Sequence, residues 1–85
     1  MYSKFYSNVV SIDDTVKAAV ELQEEAKMVY NRDQHAKWWD KKVELLLIIN
    51  SAFETGFWIG ENYDKLWSAK NIIFRAESIA GNYAR

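Results

Sequence analysis

Leu45-Leu46-Leu47-Ile48-Ile49 is five apolar residues in a row, set between Lys41-Lys42-Val43-Glu44 and Asn50-Ser51-Ala52. Successive residues of a helix are ~100° apart, so these five side chains point all the way round the axis. A helix that is apolar all round must be covered on every side. Two other helices from an 85-residue chain can hardly do that. The run therefore predicts a helix that is packed on one side by its own chain and on the other by a second copy or an obligate partner, along residues 43–59.

That helix, the second of the chain, is expected over 34–55, extending to 59 if it runs through Gly56 at a cost of ~1 kcal/mol. Upstream, Asn31-Arg32-Asp33 reads as a break. Asn31 tolerates a left-handed C-terminal cap, and Asp33 can cap the next helix. A single helix from 12 to 59 would place Asp33 and Asp40 in a coiled-coil seam, which argues against it.

Ser11-Ile12-Asp13-Asp14 is a helix start, with Ser11 as cap and two aspartates at the positive end of the helix dipole. From there Ile12, Thr15, Ala19, Leu22, Ala26 and Val29 follow a 3–4 spacing, opposite Lys17, Glu21, Glu24 and Glu25. This predicts an amphipathic first helix over 12–31 whose alanines allow a close neighbour. Before it, Tyr2, Phe5, Tyr6 and Val9 make one short stripe, so residues 1–10 form a docked helix or an aromatic arm.

Downstream, Leu66, Ala69, Ile73, Ala76, Ala80 and Tyr83 step by 3, 4, 3, 4, 3, the cleanest heptad in the chain. The third helix is expected over 62–80, stopped by Gly81-Asn82. Gly56 and Gly60 bracket Phe57-Trp58-Ile59 in the second connection. The expected fold is all-α: one domain over 1–85, a small bundle of three main helices with a short N-terminal helix or arm, helices two and three antiparallel, assembled as a homo-oligomer.

Composition supports this reading and removes several functions. The apolar share is 49%, there is no proline, and glycine occurs 3 times, which suits helices and is too apolar for disorder. A chain this short buries only roughly 60–65% of the surface its unfolded form exposes, and such chains lean on disulfides, metals or partners. No cysteine is present, so disulfides and thiolate metal sites are excluded and a reducing cytoplasm is the expected compartment. The first residues lack the continuous apolar core of a signal peptide. The apolar stretch 43–60 carries Glu44 and Glu54, each unfavourable by about 2.5–3.5 kcal/mol at mid-bilayer, so no membrane role is expected.

Catalytic chemistry finds little purchase. His35 is the one histidine, with no carboxylate three residues before it to make the Glu-x-x-His pair of di-iron bundles, so no metal or cofactor is expected. No serine sits in a nucleophile elbow, no glycine run could cradle phosphate, and Glu24-Glu25 belongs to a solvated helix face. The chain is expected not to be an enzyme.

Binding features are richer. Lys37-Trp38-Trp39-Asp40-Lys41-Lys42 mixes cations with two adjacent indoles, which cannot both point at one core. Trp39 fits a core stripe with Val43 and Leu46, leaving Trp38 for an interface. Trp and Tyr are the usual anchors of protein interfaces, and Trp67 and Phe74 lie beside the third helix's heptad. The candidate partner or ligand surface is Lys37, Trp38, Lys41, Lys42, Phe57, Trp58 and Trp67. The function these features favour is a non-enzymatic protein-interaction module, a small cytoplasmic regulator or inhibitor that binds itself and a larger cellular protein; small virus-encoded inhibitors have the same general look. The alternative is a homo-oligomer that sequesters a small anionic ligand such as a nucleotide between protomers, with Lys37–Lys42 and Arg75 as pocket walls. Nucleic acid is disfavoured, because net charge is −1 and no long basic face exists.

Overall fold

In a computed structural model of the chain, residues 5–7, 9, 11–55 and 61–84 are described. Three α-helices, α1 (Ile12–Ala26), α2 (Arg32–Thr55) and α3 (Glu61–Ala80), are followed by a 3-10 turn over Gly81–Ala84. No strand occurs among the described residues. The helices pack into one compact globule.

Each helix start has a local cause. Ser11 Oγ accepts the Asp14 N–H at 3.1 Å, and Asp13 and Asp14 occupy the first turn of α1. Asn31 Oδ1 accepts the Gln34 N–H at 2.8 Å, while Gln34 Oε1 reaches back to the Tyr30 N–H at 2.7 Å. Such reciprocal bonds satisfy amides that a helix start leaves without partners. This corrects two expectations. Asn31 opens α2 rather than closing α1, and α1 stops at Ala26 instead of 31 because the N–H groups of Lys27, Met28 and Val29 turn back three residues to Glu24, Glu25 and Ala26.

Pairs across the bundle give its topology. Lys42 meets Glu77, Asn50 meets Lys70, and Phe53 meets Trp67. Numbers rise on one helix as they fall on the other, so α2 and α3 are antiparallel. Trp38–Leu22 and Lys41–Glu25 set α2 against α1. Lys65 at the start of α3 pairs with Asp13 at the start of α1 at 2.9 Å, so those two helices run the same way. The bundle is up-down-up.

The deepest packing is between α1 and α3, not α2 and α3. Ala18, Ala19 and Ala26 of α1 and Ala69, Ala76 and Ala80 of α3 are all buried, with Leu22, Leu66 and Ile73 between them. Small side chains let helix axes approach, and the larger ones interdigitate. From α2, among the described residues, Trp38, Leu45 and Ile49 join this core as buried apolar side chains.

The N-terminal residues act as an arm. Residues 5–7 and 9 are not helical, and the Val9 N–H bonds to the Tyr6 carbonyl in a turn. Tyr6 is buried, and both its own N–H and that of Phe5 donate to Glu44 Oε2. Tyr2 lies outside the described residues.

Candidate protein-binding face

Four of the seven residues expected to form a binding surface fall together near the start of α2, but two of these four are not on the surface. Trp38 is 3% exposed, and its indole Nε1–H donates to the Leu22 carbonyl of α1 at 2.9 Å. It is a core residue, which corrects its assignment to an interface. Lys42 is 6% exposed, with its ammonium 3.1 Å from Glu77 and 3.2 Å from the centre of the Trp39 ring. Its charge is neutralised inside the molecule. Lys41 is ion-paired with Glu25 at 2.7 Å. Lys37 is exposed and borders an open cavity of about 230 Å³ that is also lined by Glu25, Met28, Val29, Gln34, Trp38 and Lys41. Phe57 and Trp58 lie outside the described residues. Trp67 is on the surface, 40% exposed.

The structure gathers a different set around Trp67. On α2, Trp39, Val43 and Leu47 are exposed at 41, 42 and 52%, one helical turn apart. Four residues advance a helix by ~400°, so this ridge starts over the α2–α3 groove at Trp39 and ends on the outer side of α2 at Leu47. On α3, Tyr63, Trp67 and Phe74 are exposed beside the same groove. The groove floor is aromatic, with Phe53 5.5 Å from Trp67 and 5.9 Å from Tyr63, centre to centre. Lys70 Nζ stands among these rings, 5.4 Å from Trp67, 5.8 Å from Phe53 and 6.0 Å from Phe74. It donates to Asn50 Oδ1 at 3.4 Å, and it meets no carboxylate among the described residues.

Among the described residues, the helix phases leave the apolar centre of the face without a covering neighbour. Leu45 and Ile49 are fully buried against α1 and α3. Leu47, on the opposite side of the five-residue apolar run, therefore points away from both. A third helix cannot wrap around α2. Among the described residues, six of the ten exposed large apolar side chains lie here. That concentration sets this face apart from the scattered apolar residues any surface carries.

The chemistry elsewhere is sparse. Among the described residues no group of three His, Asp or Glu side chains could hold a metal ion, and no helix is long and apolar enough to cross a membrane. His35 is half-buried in an aromatic stack, 5.2 Å from Tyr83 and 5.7 Å from Trp39. Burial pushes the Tyr6 phenol well above the usual tyrosine value, and the charges of Glu25, Glu44 and Glu21 push it the same way.

The chain matches no known family model, no curated protein and no solved structure.

Proposed function

We propose that this chain is a non-enzymatic protein-interaction module, a small regulator or inhibitor that acts by binding another protein, with the α2–α3 face as its binding surface. One observation carries the reading: Trp39, Val43, Leu47, Tyr63, Trp67 and Phe74 stay partly exposed along the α2–α3 face while alanines fill much of the core. Burying large aromatic side chains is the main source of core stability in a small domain. A chain that leaves Trp39, Trp67 and Phe74 exposed at 41, 40 and 45% forgoes stability that a second polypeptide covering them would add. Trp and Tyr at the centre of an apolar patch are the usual energetic anchors of an interface.

The sequestering of an anionic ligand has less support. Of the three lysines it would use near the start of α2, Lys41 is neutralised by Glu25 and Lys42 by Glu77. The cavity beside Lys37 is itself lined by Glu25.

The test compares the parent chain with Trp39→Ala and Trp67→Ala, each checked for retained helicity by circular dichroism. The parent is expected to associate with a polypeptide, itself or another, and each variant to lose that association by about ten-fold or more, the loss expected of an interface anchor. Folded variants that associate as the parent does would remove the α2–α3 face from the function.

A further inference from the structure

We infer that the polypeptide covering the α2–α3 face is a second copy of this chain, related by a two-fold axis parallel to the bundle. This rests on the reading of that face as a protein-binding surface.

The first argument is area. Large side chains expose roughly 150–250 Å² when free, so the six partly exposed residues together offer roughly 500 Å² of apolar surface. A stable dimer buries ~800 Å² on each partner, of which ~60% is apolar. The apolar centre of the face is thus the share a stable dimer needs, and its polar rim supplies the rest.

The second argument is register. Because α2 and α3 are antiparallel, each height along the bundle holds one residue of each, such as Asn50 and Lys70. A two-fold axis parallel to the bundle lays α2 of one copy on α3 of the other at unchanged heights. Leu47 then meets Phe74 of the second copy, and Phe74 meets the second copy's Leu47. The two exposed apolar ridges cover each other twice, and four helices enclose what three leave open.

The third argument is charge. Glu54 is exposed on the outward side of α2, seven residues beyond Leu47, and has no basic partner among the described residues. Lys70 on α3 has no acidic one among them. The two differ in height by about one helical turn, ~6 Å, within reach of a lysine side chain. The parallel axis brings Glu54 of each copy to Lys70 of the other. An axis across the bundle would instead lay α3 on α3, and pairing Trp67 with Phe74 of the second copy would set Lys70 against its own copy. Like charges facing across an interface are disfavoured.

The experiment is light scattering during size exclusion over a dilution series. The parent is expected at twice 10.0 kDa, and Leu47→Glu and Phe74→Glu at the monomer mass with helicity retained. Glu54→Lys alone and Lys70→Glu alone should each weaken self-association several-fold, because each sets like charges at both contacts, and mixing the two variants should restore it, since the mixed pair has a reversed ion pair at one contact and the parent's Glu54–Lys70 pair at the other. A parent that is monomeric at every concentration overturns the inference but leaves the face open to a different protein. A dimer that persists in both Leu47→Glu and Phe74→Glu overturns it and counts against the α2–α3 face as the binding surface as well. A dimer lost in those variants but not restored by mixing the charge variants overturns the parallel two-fold axis.

Discussion

The indole of Trp38 donates its Nε1–H to the main-chain carbonyl of Leu22, 2.9 Å away across the α1–α2 interface. The bond ties the start of α2 to the centre of α1 and accounts for the burial of a large polar-tipped side chain in an alanine-rich core. Trp38→Ala removes both packing and bond and should cost about 3–5 kcal/mol. Trp38→Phe keeps much of the packing and should cost less. Urea unfolding followed by circular dichroism checks the order. Equal stability of parent and Trp38→Ala would place the indole outside the core.

Lys42 is held between Glu77 and the Trp39 ring while almost wholly buried. Removing one member of such a pair strands the other, whereas replacing the charge by an apolar side chain of similar length can be neutral. Glu77→Ala should therefore destabilise the fold by ~1–3 kcal/mol, the lower part of the range applying because Glu77 is partly exposed. Lys42→Met should cost less than Glu77→Ala. The reverse order in thermal melts would show that the ion pair is itself the stabilising element.

Glu44 Oε2 accepts the main-chain N–H groups of Phe5 at 2.9 Å and Tyr6 at 2.8 Å, and so seats the N-terminal arm on α2. Glu44→Ala removes the acceptor for two donors and should cost about 1–3 kcal/mol. The arm should open locally, seen as faster hydrogen exchange at Tyr6 than in the core of α3. Glu44→Gln, which keeps an oxygen in place, should lie between the two. Unchanged exchange at Tyr6 in Glu44→Ala would mean the arm is held by other contacts.

The buried Tyr6 phenol resists ionisation, through burial first and then through Glu25, Glu44 and Glu21. Its folded value lies above the unfolded one of 10.0, so the unfolded chain loses this proton first as pH rises. The stability this group contributes is complete below about pH 10 and falls progressively above it. Tyr6→Phe should flatten the fall in stability above about pH 10, measured by denaturant midpoints. An identical slope in both proteins would assign the alkaline loss to other groups.

Much of the fold was legible because its signals were local. The heptad of α3 was complete in sequence, and Leu66, Ala69, Ile73, Ala76 and Ala80 are all buried. Ser11 and the two aspartates marked the start of α1. The phase of α2 was harder to read, and the cause is a single residue. Its buried stripe is Trp38, Lys42, Leu45 and Ile49, spaced by 4, 3 and 4. A lysine at the second position breaks the apolar pattern, so Trp39 with Val43 and Leu46 looked like the inward set. A buried lysine is legible only when its partners are known, and Glu77 lies 35 residues away in sequence. The same error of phase turned Trp38 outward and hid the Trp39–Val43–Leu47 ridge. The five-residue apolar run did reveal that α2 has a side its own chain leaves uncovered, and Leu47 is that side. Periodicity also set Trp67 and Phe74 beside the heptad of α3; what it could not supply was that they share one face with Leu47, because that follows only from the antiparallel register of two helices.

The most direct measurement of the central claim, that the α2–α3 face is covered by another copy, is hydroxyl-radical footprinting of the parent at low and high concentration, read residue by residue. Labelling of Leu47, Trp67 and Phe74 should fall as concentration rises. Met28 and Tyr30, exposed at 61 and 68% in the α1–α2 connection, should label equally throughout. Constant labelling of Leu47, Trp67 and Phe74, or protection that appears at Met28 and Tyr30 instead, would contradict it.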